Sequence, residues 1–219
     1  MAENRMRGPS KERLLDEAEI LFAEKGFEGV SVREITRAAG CNLASVNYYF
    51  GNKENLYMEV FRYRWMPRAK RIHNNFRQSL QTQEPLSLSH IIQSLGMAFL
   101  RGPLCEEERR CHQQLMAREL AQPTAALEML AQEIMRPFFQ ELTDMLRPLV
   151  PEGLEESELM LGAMGIFAMI LYFSFGRVAV TRLLGCEYDD ALRNRLSEHI
   201  AGFAINGLKG LNKGKPDGA

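Results

Sequence analysis

The sequence predicts an all-α protein of about nine helices in two domains. A three-helix domain built on a helix-turn-helix spans residues 1–55, and a larger helical domain spans residues 56–219. Three observations carry this. Ser31–Lys53 reads as two short helices joined by a glycine turn, running at once into a third. Apolar residues recur at helical spacing throughout, and no alternating strand pattern or repeat is present. The run Leu159–Gly176 is apolar all round, the mark of a helix buried in a core or an interface.

Composition excludes several classes. The 219 residues are 46% hydrophobic, enough for a sizeable core, and the net charge of −1 argues against a protein that coats nucleic acid. The sign is unevenly spread: residues 1–75 carry 13 Lys and Arg against 10 Asp and Glu, a modest excess of +3 at the N-terminal end. Cys41, Cys105, Cys111 and Cys186 are scattered without zinc-ligand spacing, so reduced thiols are expected and neither metal nor cofactor is. The stretch MAENRMRGPSKER has no apolar core of a secretory signal, and a cytoplasmic location is expected. Signatures of hydrolases, zinc proteases and dinucleotide enzymes are missing, and Gly210 to Gly214 is one residue short of a phosphate loop, so no enzyme is expected.

Element by element, Arg5 and Arg7 form a short basic arm. Ser10 caps a first helix whose Leu14, Ala18, Leu21 and Phe22 share one face, and Gly26 ends it with Phe27 folding back. Ser31 caps the second helix, with Glu34 completing a capping box, and Gly40 makes the turn. Asn42 caps the third, from Leu43 to Tyr49, whose Val46 and Phe50 join the small core. Asn52 caps a fourth helix running from Lys53 to about Gln81, with Pro67 expected to kink or break it. The basic run Arg62, Arg64, Arg68, Lys70 and Arg71 reads as a solvated face. Helices follow over Leu88–Arg101, Glu106–Leu120, Thr124–Leu149 (bent at Pro137), Glu155–Leu184 and Asp189–Leu211, before a polar tail.

Two blocks carry more than a generic helix-turn-helix. The pattern AxxLFxEKGFxxxSVxxI stands at Ala18–Ile35, and AGxxxxxxxYYFxNKExLY at Ala39–Tyr57. Together they resemble the N-terminal domain of the TetR family of bacterial transcriptional repressors. The resemblance covers roughly the first 60 residues. It implies a homodimer, held through the last two helices, whose recognition helices meet successive major grooves of an operator and part from it when a small molecule binds.

A recognition helix lays its N-terminal residues against base edges while neighbours hold phosphates. The third helix offers Leu43, Ala44, Ser45, Asn47, Tyr48 and Tyr49 after its cap, Asn42. Asn47 suits an adenine edge, and Leu43 or Ala44 a thymine methyl. Tyr49, like Ser45 and Tyr48, has a hydroxyl for phosphate oxygens. Ser31 and Lys53 sit at helix N-termini, where free N–H groups attract phosphate, and Arg33 is placed to reach a guanine. The resemblance supports Arg33, Leu43 and Asn47 as base-facing, and Ser31, Ser45, Tyr48 and Lys53 as phosphate-facing. The family usually has Tyr-Tyr-His or Tyr-Tyr-Tyr where this chain has Asn47-Tyr48-Tyr49, so no operator sequence carries over.

For the effector, polar groups in soft apolar surroundings mark His112, Met116, Arg118, Glu119, Phe138, Met164, Phe167 and Tyr172. Arg118 is expected nearer the ligand and Glu119 as a brace. Each Met or Phe taken singly also reads as plain core, and a regulator of this fold without a small-molecule ligand is the alternative. The segment HQQLMARELAQPTAALEML resembles the ligand domain of a TetR subgroup associated with drug response and efflux. For the dimer, Gly162, Ala163, Ile166, Ile170 and Phe173 on one helix and Leu196, Ile200, Phe203 and Leu208 on the next form the expected stripes. The apolar run Leu159–Gly176 brushes the length of a membrane span, and membrane attachment is the reading from another class. Flanking glutamates and small residues favour a buried or dimer-forming helix instead.

Overall fold

The computed structural model describes residues 10–81 and 85–211. The basic arm with Arg5 and Arg7, and the polar tail from residue 212, lie outside the described residues. Within them every regular element is helical: α1 Ser10–Lys25, α2 Val32–Ala38, α3 Leu43–Phe50, α4 Lys53–Val60, α5 Met66–Leu80, α6 Leu88–Leu100, α7 Glu106–Ala121, α8 Ala125–Leu130, α9 Arg136–Leu146, α10 Glu156–Phe175, α11 Arg177–Leu184 and α12 Asp190–Leu211. The chain divides into two compact units, one of residues 1–70 with 104–134, the other of residues 71–103 with 135–219. The first unit therefore reaches well beyond residue 55 and takes in α7 and α8.

In the first unit α1 packs against α2, α3, α4 and α7. Leu14, Ala18, Phe22, Ile35, Val46 and Phe50 are buried as their spacing predicts, joined by Leu15 and Ala23, whereas Leu21 is only half-buried. The helix after Asn52 does not break at Pro67. Five residues, Phe61–Trp65, widen into a π-helical turn between α4 and α5. Proline has no N–H for the carbonyl four residues back; Tyr63's carbonyl accepts instead from Arg64 Nη1 at 3.1 Å. A second π-helical turn, Ala131–Met135, precedes Pro137 in the same way.

The basic run is less solvated than its composition suggests. Arg64 bonds Asp16 at 2.9 Å and Glu12 at 2.6 Å, and Arg68 pairs with the buried Glu19. These pairs fasten the α4–α5 rod to an acidic stripe on α1, fixing the register of the two more than adding net stability.

In the second unit α6 and α12 pack along much of their length, with α10 against both and α9 against α10. Ser197 Oγ donates to the Gln93 carbonyl at 3.0 Å, tying α12 to α6. The helix predicted over residues 155–184 is in fact two, α10 and α11, divided at Gly176. A Cβ there would lie 2.8 Å from the Tyr172 carbonyl oxygen, so only glycine fits the corner. Ser174 Oγ and Arg177 Nη2 donate to the Phe99 and Leu100 carbonyls, each at 3.1 Å, which holds the corner on the end of α6.

Candidate functional site

The helix-turn-helix is set by its caps. Ser31 Oγ accepts from the Glu34 N–H at 3.2 Å and starts α2. The Glu34 carboxylate does not turn back to complete a capping box; it pairs with Lys25, whose hydrogen bond holds the Glu34 pKa below its ordinary value. Gly40 takes φ of 59° in the turn, a conformation costly for a residue with a Cβ. Asn42 Oδ1 then accepts from the Ser45 N–H and the Ser45 hydroxyl, both at 2.9 Å, and starts α3.

Two residues anchor α3 inward: Val46 is fully buried and Phe50 nearly so. That leaves Leu43, Ala44, Asn47, Tyr48 and Tyr49 on the outside, with Tyr48 83% exposed and its ring edge-on to Tyr49 at 4.9 Å. Ser31 and Arg33 are exposed on α2. So is Arg37, which the sequence reading passed over although its spacing of four from Arg33 puts both on one helical face. Ser45 is half-buried, and its proton is committed to Asn42, leaving the hydroxyl oxygen as acceptor. Lys53, at the first position of α4, holds its Nζ 4.2 Å from the centroid of the Phe27 ring. The ring holds the ammonium by a cation–π contact, and the free N–H groups of the α4 N-terminus are a second feature that attracts phosphate. The exposed groups thus comprise amide, hydroxyl, aliphatic and guanidinium functions, the set that reads base edges and holds phosphates.

Arg118 and Glu119, adjacent on α7, both turn towards this reading head. Arg118 Nε donates to the Ala23 carbonyl at 2.8 Å, and Nη2 donates to the Glu24 carbonyl. The guanidinium thereby completes the C-terminal end of α1, where cations are favoured. Glu119 has no exposed surface; it accepts from the Tyr57 hydroxyl at 2.6 Å, and from Thr124 N–H at 3.0 Å and Leu127 N–H at 3.1 Å at the start of α8. Glu119 thus ties α7 to Tyr57 on α4, and Arg118 ties it to the end of α1.

The eight effector candidates fall in different surroundings. His112 and Met116 are buried in the first unit, where the His112 ring stacks on Trp65 at 4.3 Å and its carbonyl accepts from Trp65 Nε1. Phe138 and Phe167 belong to the second unit, in a cluster with Phe99 and Phe139 whose ring centroids are 5.1 to 5.6 Å apart. Met164 and Tyr172 point outward on α10, 49% and 57% exposed, rather than into an enclosed space. Of the eight, Arg118 lines a cavity of about 330 Å³ in the first unit, together with Thr124 and Gln122, which the sequence reading did not single out.

Of the stripes expected at a dimer face, Gly162 and Phe173 are half-buried and Phe203 is exposed, while the other members turn inward. Ala163, Ile166 and Ile170 on α10, and Leu196, Ile200 and Leu208 on α12, are buried within the protomer. The outward face of α10 is Leu161, Gly165, Ala168 and Tyr172, and that of α12 holds Gly202, Phe203, Asn206 and Gly207. On α12 Phe203 is the member of the expected stripe that stays on the outward face, whereas on α10 the expected Ala163 and Ile166 lie one position, and Ile170 two positions, from an exposed residue. Helix α10 has the length and apolar character of a membrane span, with 28% of its apolar window buried in the protomer.

Residues 14–60 match the bacterial regulatory proteins of the tetR family, and residues 88–208 match the C-terminal domain of the HTH-type transcriptional dual regulator CecR. The chain is 24% identical over 213 residues to that dual regulator from Shigella flexneri, covering 93% of each protein. It is 38% identical over 53 residues to the HTH-type transcriptional repressor AcnR of Corynebacterium glutamicum, 24% of this chain and 28% of that one. Its fold is similar to the fatty acid degradation regulator FadR from Bacillus halodurans, with a TM-score of 0.62, 19% identity, and coverage of 93% of this chain and 98% of that one.

Proposed function

The chain belongs to the TetR family of bacterial transcriptional regulators, and from that premise we propose that it is a homodimeric, cytoplasmic repressor released from its operator by a small-molecule effector. The observation that carries the DNA-binding part is the outward face of α3. Asn47, Leu43 and Ala44 stand clear of the core on a helix pinned by Val46 and Phe50, and Arg33 with Ser31 flanks them on α2. In this reading Asn47, Leu43 and Arg33 read bases, and Ser31, Ser45, Tyr48, Tyr49 and Lys53 hold phosphates.

Repression is supported by the name of the Corynebacterium relative, whose likeness extends over 53 residues, 24% of this chain. The dual-regulator name of the full-length relative favours a second reading, in which one promoter is repressed and another activated. The dimer part rests on the exposed faces of α10 and α12. Leu161, Tyr172 and Phe203 are 57 to 65% exposed, beside glycines whose outer side is open, a surface that invites a second copy. Release follows if an effector prefers a conformation in which the two recognition helices no longer match successive grooves.

The test is retention of promoter fragments by the purified protein, followed by fluorescence anisotropy on the fragment retained and reporter assays with the gene deleted. Specific binding that weakens as candidate compounds are added supports the reading. Equal affinity for every fragment would overturn it.

A further inference from the structure

We propose that the cavity beside Arg118 binds a small aromatic carboxylate, placing an effector directly against the reading head. Its volume, about 330 Å³, lies at the lower end of small-molecule sites and suits a single substituted ring. The wall is built from both sides of one unit. Gly26 and Phe27 follow the end of α1, Tyr57 comes from α4, and Arg118 with Gln122, Pro123 and Thr124 closes the cavity from α7 and the turn after it.

Three features select the ligand class. The first is an aromatic wall: the Phe27 and Tyr57 rings lie 5.1 Å apart, and both are held against Phe22. Tyr57 cannot swing away, because its hydroxyl is committed to Glu119. The second is a guanidinium with capacity to spare. Arg118 uses Nε and Nη2 on two backbone carbonyls, while Nη1, which has no such acceptor, lies against Gly26 in the cavity lining. Its hydrogen bonds go to neutral oxygens rather than to a carboxylate, so an arriving carboxylate meets a cation with the Nη1 donor still to offer. The third is the balance at the rim. Lys25 is spoken for by Glu34, and Glu28 is the acidic group in the lining, which disfavours ligands of high negative charge and selects a single one.

A carboxylate that takes Nη1 with one oxygen and reaches for Nη2 with the other competes with the Glu24 carbonyl for that second donor. Occupancy would therefore loosen the α1 end that Arg118 completes, and α1 is the helix on which α2 and α3 are packed. Only this last step, the effect on DNA, rests on the effector-release reading.

The experiment uses the full chain with benzoate as probe, and benzamide and inorganic phosphate as controls, by isothermal titration calorimetry. Benzoate is expected to bind at least tenfold more tightly than either control. Arg118→Gln should weaken it at least tenfold. Ala121→Phe, an exposed position in the lining, should do the same by filling the mouth while leaving Arg118 and its carbonyl partners untouched, so a folding defect in the first variant does not decide the matter. Benzoate binding that survives Ala121→Phe, or that benzamide or phosphate matches, overturns the site. Anisotropy on a retained DNA fragment separates the two readings: benzoate that binds as described but leaves DNA affinity unchanged keeps the site and removes effector release from it.

Discussion

The Tyr57 hydroxyl donates to the fully buried carboxylate of Glu119 across 2.6 Å, joining α4 of the reading head to α7 over 62 residues of sequence. Burial first, then the carboxylate's acceptance of its proton, push the Tyr57 pKa far above the ordinary phenol value, so the hydroxyl remains a donor at any physiological pH. Glu119 has no cationic hydrogen-bond partner; Tyr57, Thr124 and the N-terminal amides of α8 carry it.

Tyr57→Phe keeps the ring and removes one donor from a buried charge. A cost of about 1–3 kcal/mol is expected in urea unfolding, the range for leaving a buried polar group short of a partner. Glu119→Gln should cost a similar amount, and the double variant less than the sum, because both changes break one network. Strict additivity would show that the 2.6 Å hydrogen bond carries no coupling.

On DNA, Asn47 and Lys53 should fail differently. Asn47→Ala is expected to cost roughly 1–3 kcal/mol at one base position per half-site and little on random sequence. Lys53→Ala should weaken specific and random DNA alike and flatten the salt dependence by about 0.9 for each phosphate that the ammonium no longer neutralises. Because the Lys53 ammonium sits over Phe27, the variant should also be less stable by about 0.5–1 kcal/mol through the missing cation–π interaction. An unchanged salt slope would take Lys53 off the phosphate backbone.

The reading head was legible because each of its signals is local. Ser31, Asn42 and Asn52 cap helices through side chains reaching three residues along, and Val46 with Phe50 marks the inner face by helical period alone. The rest depended on partners far away in sequence. Nothing near Arg118 says that its hydrogen bonds go to residues 23 and 24, and nothing near Tyr57 names Glu119. The apolar run of α10 was illegible for another reason. With hydrophobic residues on all sides, its period does not reveal which face the protomer covers, so Ile170 looked as available to a partner as Tyr172.

His73 offers a pH test. Its ring stacks on Phe138 at 4.3 Å, and burial first, with Arg77 adding to it and Glu141 opposing, lowers its pKa from 6.5 to about 4. A histidine with a depressed folded pKa binds fewer protons folded than unfolded between those values. Its stabilising contribution is full above pH 6.5 and is lost as pH falls towards 4, by up to about 3 kcal/mol. His73→Phe deletes that term while keeping a ring on Phe138. Unfolding free energies at pH 7 and pH 4.5 should therefore drop further for the parent than for the variant, although carboxylates contribute to both. Parallel losses would mean that His73 is not buried as a neutral ring.

The last prediction concerns which face makes the dimer. Phe203 is 65% exposed on α12 and Ile170 is fully buried on α10, although both lie on the stripes that the sequence alone suggests. Phe203→Glu places a charge where the protomer leaves open space, so the folded monomer should lose no more than about 0.5 kcal/mol. If that face meets a second copy, the same charges would be buried opposite one another, costing several kcal/mol in association. The variant should sediment as a folded monomer and bind a palindromic operator far more weakly, since the second half-site no longer benefits from being tethered to the first. Ile170→Glu should behave otherwise, with the charge buried inside the protomer, a loss of several kcal/mol in folding and no folded species of either mass. Tyr172→Glu on the α10 side of the proposed face should reproduce the Phe203 result. Dimeric mass with intact circular dichroism in both Phe203→Glu and Tyr172→Glu would move the interface off α10 and α12 altogether.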